Sequence, residues 1–196
     1  MSRLSDLKTT EGKSSSPVEF SLNDRQTLLR IAHEAILSAF EDQALPEKPV
    51  STSLSEERGV FTTLYLRGSL RGCVGYALPV APLYLAVAET ARSAAFDDSR
   101  FQPVTKYETP ELEVSLSVLS LVFPIRPEEV EVGHHGLVIS LGAHRGLLLP
   151  QVPMEYGWDR ETFLRQTCQK AGLPADALRK GAVLEAFTAE VFGDKV

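Results

Sequence analysis

The chain has 196 residues, 43% of them hydrophobic and 23% charged, a composition typical of a globular protein with one large domain or two small lobes. The 20 Lys and Arg against 26 Asp and Glu give a net charge of -6, which argues against a general nucleic-acid binder because such proteins need clustered cations. The start lacks a secretory leader pattern, and no run approaches the roughly 18 apolar residues of a membrane span, so we expect a cytoplasmic protein. Two cysteines are too few for a disulfide framework, so we expect both thiols to be reduced.

The N-terminal part of the chain divides into a polar stretch and a helix. Residues 1–17 contain few large apolar side chains, so we expect a flexible tail followed by a domain over residues 18–196. Ser21 and Asp24 are typical of a helix start, where side-chain oxygens satisfy free backbone amides. Apolar residues then recur at spacings of three and four, which predicts an amphipathic helix ended by Pro46 and Pro49. These apolar residues are Leu28, Leu29, Ala32, Ala35, Ile36, Ala39 and Phe40.

A hairpin and a second helix are predicted next. Residues 59–66 and 70–76 are rich in β-branched and aromatic side chains, and the turn between them predicts a hairpin that presents Cys73. Pro82 precedes a long apolar run and suits the first turn of a mostly buried helix. We expect residues 59–101 to supply this hairpin and helix to a smaller lobe.

The C-terminal half alternates strands and helices. Strict alternation over residues 112–118 predicts a half-buried strand. Residues 136–141 and 146–150 predict a second hairpin, joined by a turn at residues 142–145. Residues 182–192 fit a strand, and a helix fits the same pattern.

The last predicted helix follows Asp159, and the order of all the predicted elements indicates the fold class. Asp159 is expected to cap a helix that ends before Gly172. Hairpins interspersed with helices favour an α+β fold with largely antiparallel sheets over a doubly wound parallel sheet.

The segment around Cys73 is the first candidate site. Glycine inside a strand is disfavoured unless a bulge or a close backbone approach requires it, and here Gly72 and Gly75 flank the cysteine. Alternate strand residues share a face, so Arg71 and Cys73 lie on one side unless a bulge intervenes. A cation beside a thiol favours the thiolate, which makes Cys73 a candidate nucleophile, redox centre or ligand. The alternative is a small buried residue in a tightly packed hairpin.

Three more polar residues are candidates, each with a structural alternative. Glu155 follows a proline-bearing apolar run predicted as a strand, and it suits a general base, a metal ligand or an arginine partner as well as a surface carboxylate. Arg100 suits recognition of an anionic ligand or an ion pair with Asp97 or Asp98 that holds its loop. Gln151 suits a polar cleft residue or an amide that satisfies loop backbone.

Histidines and the second cysteine carry weaker signals. His134, His135 and His144 match no specific metal spacing, and the neighbouring glycines favour an exposed turn, so no metal site is predicted. Cys168 recurs with apolar residues at helical spacing and is expected in the core.

Several segments resemble, in order, the motifs of the AMMECR family, whose prokaryotic members are known as protein A of the AmmeMemoRadiSam system. The resemblance covers about residues 20–196. It implies an α+β fold with a larger and a smaller lobe, each built on antiparallel strands and helices, and a cleft between them. It implies no established reaction and no known cofactor. The matching segments are LRGCVG at 70–75, DSRFQPV at 98–104, EVSLSVL at 113–119, GLVI at 136–139, GLLLPQVPMEYGWD at 146–159 and CQKAGLP at 168–174.

The resemblance also implies partners. It couples the family to a Memo-type protein, related to metal-dependent dioxygenases, and to a radical S-adenosylmethionine enzyme. The iron–sulfur spacing CxxxCxxC is absent from this sequence, so cluster chemistry does not belong to this chain.

Two functional hypotheses follow. The first is an enzyme or enzyme subunit in a modification pathway with those proteins, in which Cys73 and Glu155 act in the cleft. The second is a noncatalytic adaptor that offers the same cleft to a partner protein, with nucleic acid less favoured by the acidic charge. The sequence predicts that Cys73, Arg71, Arg100 and Glu155 approach one cleft. The expected substrate-binding residues are Arg71, Gly72, Gly75, Arg100 and Gln151.

Overall fold

The computed structural model describes residues 20–41, 49 and 51–195, so the predicted tail at residues 1–17 and Pro46 lie outside the described residues. Within the described part, the strands form two four-stranded antiparallel sheets with helices packed against them. This arrangement confirms the predicted α+β class. Among these residues, no helix is both long enough and apolar enough to cross a bilayer.

A first layer contains two long helices and one sheet. Its elements are α1 (Leu22–Ala39), β1 (Val60–Leu66), β2 (Ser69–Tyr76), α2 (Leu83–Phe96), β3 (Leu112–Leu119) and β8 (Ala189–Gly193). The strand order is β2-β1-β3-β8, which leaves β2 at one edge. Alternate residues of β1 and β3 are buried against α1 and α2, because a strand presents successive side chains to opposite faces. The other face of this sheet looks away from the helices.

A second layer is built from the C-terminal half. Its elements are β4 (Phe123–Pro124), β5 (Gly136–Leu141), β6 (His144–Leu148), α3 (Val152–Glu155), α4 (Arg160–Lys170) and β7 (Val183–Phe187). The strand order is β4-β7-β5-β6. Helix α4 lies against β5 and β6 and covers a separate apolar core that includes Leu137, Ile139 and Phe163.

The predicted helix starts and both hairpins are confirmed. Ser21 accepts a hydrogen bond from the Asp24 amide at 3.1 Å, and Asp159 caps α4 by accepting from the Thr162 amide at 2.8 Å. The first hairpin turns at Arg67 and Gly68, whose φ angles of 52° and 77° match the turn that suits the twist of paired strands. The second turn is two residues shorter than expected, because β6 begins at His144.

The final apolar run forms two strands that belong to different sheets. β7 pairs with β5 in the second sheet, and β8 pairs with β3 in the first. The chain also passes between the sheets at residues 120–122, between β3 and β4. At the two crossings the Ser120 amide donates to the Thr188 carbonyl at 2.9 Å, and the Thr188 amide donates to Ser120 Oγ at 3.0 Å. A small core of Leu119, Val138 and Phe187 joins the layers beside them.

Residues 59–101 lie in the first layer together with α1 and β3. The domain boundary at residue 18 and the assignment of residues 59–101 to a smaller lobe stay predictions. The cleft between lobes also stays a prediction. One cavity of about 370 Å³ nevertheless has walls from both sheets, and another of about 390 Å³ lies between the first sheet and the segments 133–134 and 149–154 of the second layer.

Candidate functional site

An ion pair closes the exposed edge of β2 at Cys73. Because β2 is an edge strand, the outward backbone groups of Cys73 lack a neighbouring strand. Asp98 Oδ2 accepts a hydrogen bond from the Cys73 amide at 2.9 Å, and Arg100 Nη2 donates to the Cys73 carbonyl at 3.1 Å. Arg100 Nε donates to Asp98 Oδ1 at 2.9 Å. The pair therefore takes the place of a neighbouring strand and fixes the backbone of the cysteine.

The electrostatics of this pair are strong. The Asp98 carboxylate is 6% exposed, whereas the Arg100 side chain is 57% exposed. Hydrogen bonds from Arg100, followed by the one from the Cys73 amide, hold the pKa of Asp98 well below its ordinary value. The Asp98 carboxylate raises the pKa of Arg100, and Cys73 adds a smaller contribution in the same direction. The alternative that Arg100 pairs with Asp98 to hold the loop is therefore what the structure displays.

The thiol of Cys73 lies on the face of the sheet that looks away from α2. Across the strands Cys73 pairs with Thr63, Thr63 with Ser115, and Ser115 with Gly193. Thr63 Oγ1 donates to Cys73 Sγ at 3.3 Å, and the side chains of this row are partly exposed. The result is a strip of small polar groups with a thiol at its β2 end.

Arg71 is turned away from this strip by a β-bulge. Leu64 pairs with Gly72, but Tyr65 pairs with Leu70, so Arg71 is the extra residue of β2. Its Nε donates to Glu108 Oε1 at 2.9 Å, and its Nη1 donates to the carbonyl of Gln102 at 2.7 Å. The guanidinium lowers the pKa of Glu108 to about 2. Arg71 thus secures the loop after α2, and Arg100 is the arginine that contacts Cys73.

The two glycines of the motif sit at close contacts. A Cβ built on Gly72 would lie 2.0 Å from the Ala94 carbonyl oxygen of α2. A Cβ on Gly75 would lie 2.3 Å from the Phe61 ring, which lines the 390 Å³ cavity. Packing alone therefore requires both glycines, and their contribution to substrate binding stays a prediction.

Glu155 lies in a short helix that follows the predicted strand, which ends at Leu148 and not at Pro150. The Gln151 carbonyl accepts from the amides of Met154 and Glu155, both at 3.0 Å, and residues 152–155 form α3. The Glu155 side chain is exposed. Gln151 and Met154 line the 390 Å³ cavity across from Phe61. Gln151 therefore faces the same side of the first sheet that carries Cys73.

The predicted site residues fall into groups. Cys73 and Arg100 are in contact, and Gln151 shares a cavity with Phe61, the ring over Gly75. Within the described residues, no hydrogen bond or ion pair joins Glu155 to Cys73, Arg71 or Arg100. The shared catalytic role of Cys73 and Glu155 stays a prediction.

His135 serves local structure. His135 is buried, and its Nδ1 accepts from the Glu131 amide at 3.0 Å. Burial lowers the pKa of His135, so the ring is neutral at physiological pH. In the part of the chain that the structure describes, no three His, Cys, Asp or Glu side chains are grouped as metal ligands.

Sequence reasoning missed Thr63 and Glu108. Thr63 is identified only by the register of the hairpin, and the bulge at Arg71 shifts that register by one residue. Glu108 lies 37 positions from its arginine, and nothing in its local pattern marks it. Non-local contacts of this kind need the fold before they can be recognised.

Comparisons with known proteins agree with this architecture. A family model described as AMMECR1 matches residues 29–192. A protein of Thermococcus onnurineus is 43% identical over 182 residues, which cover 86% of this chain and 89% of that protein. A protein of Aquifex aeolicus is 40% identical over 183 residues, covering 88% and 93%. The crystal structure of the uncharacterized protein PH0010 from Pyrococcus horikoshii shares 39% identity with a TM-score of 0.68, covering 87% of this chain and 91% of that one.

Proposed function

The chain belongs to the AMMECR1 family, and from that premise we propose that it is an enzyme or enzyme subunit whose chemistry is carried by the Cys73 thiol. The observation that supports this most directly is the fixed setting of that residue. Asp98 and Arg100 hold its amide and carbonyl, and Thr63 donates to its sulfur. The side chain stays partly open to solvent.

The surroundings of Cys73 suit a thiolate nucleophile. A thiolate is stabilised by nearby cations and by hydrogen-bond donors, and it is the form that attacks electrophiles. Arg100 supplies the cation, and the Thr63 hydroxyl supplies a donor. The strip of Thr63, Ser115 and Gly193 offers small groups along which a polar substrate can lie. In this proposal Gln151 contacts substrate from the opposite wall of the adjoining cavity.

The second catalytic group of the proposal is Glu155. It directly follows Met154, which lines the cavity, and its exposed carboxylate suits a general base for a substrate bound between α3 and the first sheet. The proposed partners are the Memo-type and radical S-adenosylmethionine proteins implied by the family resemblance. The chain would then supply a thiol step within a modification pathway.

Alkylation kinetics test the thiol proposal. Iodoacetamide should modify Cys73 at least about tenfold faster than glutathione, because the Thr63 hydroxyl and the neighbouring Arg100 would stabilise the negative charge on the attacking sulfur. Arg100→Gln should slow that reaction, whereas Arg30→Gln, a matched change on the exposed face of α1, should leave it unchanged. A rate equal to that of glutathione in the folded wild type would exclude an activated thiol.

A noncatalytic adaptor is the second candidate function. It is favoured by apolar side chains exposed beside the same cavity, Met154 at 64% and Val191 at 53%, since such groups mark protein-binding surfaces. Cys73→Ala separates the two functions. An adaptor keeps both its complex with the purified Memo-type protein and the activity of that complex after this change, whereas an enzyme keeps the complex and loses the activity.

A further inference from the structure

A second cavity lies away from the Cys73 strip, where both ends of the first hairpin meet β6. It has a volume of about 370 Å³, within the range of about 300–1,000 Å³ that is usual for small-molecule sites. Most of its wall is apolar, from Ala77, Leu119, Leu147 and Phe187. Two arginines, Arg58 and Arg145, also line the cavity.

Arg58 places a positive charge in the wall of this cavity. The residue is 6% exposed, and arginine is rarely buried so deeply because removing its charge from water is costly. Its Nη2 donates to Glu56 Oε2 at 2.9 Å, and the Glu56 side chain is 57% exposed. The ion pair with Glu56 therefore holds one face of the Arg58 guanidinium group while the residue lines the cavity.

Arg145 adds a second cation from the other sheet. It is exposed on β6, and among the described residues no carboxylate forms a salt bridge with it. None of the residues lining the cavity is Asp or Glu, although the chain as a whole carries a net charge of -6. The cavity is thus a local site of positive charge on an acidic protein, which favours an anionic ligand.

The mouth of the cavity is apolar and open to water. Leu78, Leu121 and Val122 line it and are 44%, 60% and 40% exposed. Contiguous exposed apolar groups beside a pocket are typical of a binding site, because they gain free energy when a ligand covers them. The ligand must therefore carry an apolar body as well as a charge.

We propose that this cavity binds a small amphiphilic carboxylate, an organic anion with an aliphatic or aromatic body. The carboxylate pairs with the guanidinium group of Arg145, because charge-assisted hydrogen bonds of this kind are strong, and Arg58 adds positive charge in the same wall. The apolar body lies against Leu119, Leu147 and Phe187. This site is separate from the thiol function proposed above, and neither depends on the other.

Calorimetric titration of the full-length protein with octanoate tests the proposal, with octan-1-ol and octylammonium as probes of equal length. Octanoate should bind saturably and shift the amide resonances of Ala77 and Leu147. Arg145→Gln should weaken its binding about fivefold or more, a loss that corresponds to one screened ionic contact. Arg30→Gln, which removes the same charge on α1, should have no effect.

A second variant keeps the test independent of the buried arginine. Leu121 is well exposed, so Leu121→Glu should fold normally, and its carboxylate should repel octanoate at the mouth of the cavity. The uncharged variant Leu121→Gln should bind octanoate more tightly than Leu121→Glu does. The proposal is overturned if octan-1-ol binds as tightly as octanoate, if Arg145→Gln binds like the wild type, or if octanoate shows no saturable binding up to millimolar concentrations.

Discussion

Gly72→Ala is expected to destabilise the first layer. Gly72 is buried on β2, and a Cβ there would lie 2.0 Å from the Ala94 carbonyl oxygen and 3.0 Å from its carbon, where ordinary contacts are 3.4–4 Å. The obstacle is helix backbone, which cannot rotate aside as a side chain does. Strand β2 and helix α2 must therefore separate by more than about 1 Å.

The size of the stability loss in Gly72→Ala follows from two opposing effects. Inserting a methyl group into a packed site costs about 1–3 kcal/mol, and a rigid neighbour places Gly72 at the upper end. Replacing glycine also restricts the unfolded chain, which returns about 0.4–1 kcal/mol. We expect a net loss of about 2–3 kcal/mol in the free energy of unfolding. For a chain of this size, that lowers Tm by roughly 4–12 °C.

Urea denaturation of Gly72→Ala and Gly142→Ala measures this difference. Gly142 has a φ of +59°, and no other atom lies within 4 Å of its added Cβ. Its substitution therefore costs only the left-handed backbone strain, about 1–2 kcal/mol. The packing explanation for Gly72 is refuted if Gly72→Ala is no less stable than Gly142→Ala. A ligand-binding role for this glycine would then be the better explanation.

Three further predictions concern hydroxyls, a carboxylate and the thiols. Thr62 and Thr90 are fully buried with their Oγ1 atoms 2.7 Å apart, and Thr90 donates to the Ala86 carbonyl, so Thr62 must donate to Thr90. Urea titrations should therefore show Thr90→Val to be less stable than Thr62→Val by about 1–2 kcal/mol, since only Thr90→Val strands a buried donor; equal losses would contradict this. Because the pKa of Asp98 is lowered in the folded protein, its ionised carboxylate stabilises the fold above about pH 4. This stabilisation is lost as the pH falls through the folded-state pKa. Wild type should thus lose more stability on acidification than Asp98→Asn, and parallel pH curves would count against the pair. Cys168 is buried, which raises its pKa, so mass spectrometry should find Cys73 alkylated first, and faster labelling of Cys168 would show that the α4 core opens readily.

The helices and hairpins could be predicted because their signals are local. Ser21 and Asp159 each lie three residues from the amide that they cap, and Arg67-Gly68 supplies the positive φ angles of its turn within two residues. Strand alternation near residue 114 reports burial on one face directly. Such features need no knowledge of distant partners.

The site could be predicted only in part, because its contacts join distant segments. Asp98 and Arg100 were recognisable as an ion pair from their spacing, but their contact with the Cys73 backbone depends on β2 lying at a sheet edge. The bulge at Arg71 moves that side chain off the face where simple alternation puts it. The change of sheet at Thr188 is likewise set by which strands lie nearby and not by propensity.

The two crossings between the sheets, at Ser120 and Thr188, lie side by side. The Ser120 amide donates to the Thr188 carbonyl and the Thr188 amide donates to Ser120 Oγ, so each crossing satisfies the backbone amide of the other. Leu119 directly precedes the first crossing and forms part of the wall of both cavities. A change of side-chain size at Leu119 would therefore alter the shape of both cavities at once, whereas a change at Arg145 or at Gln151 would alter only one of them.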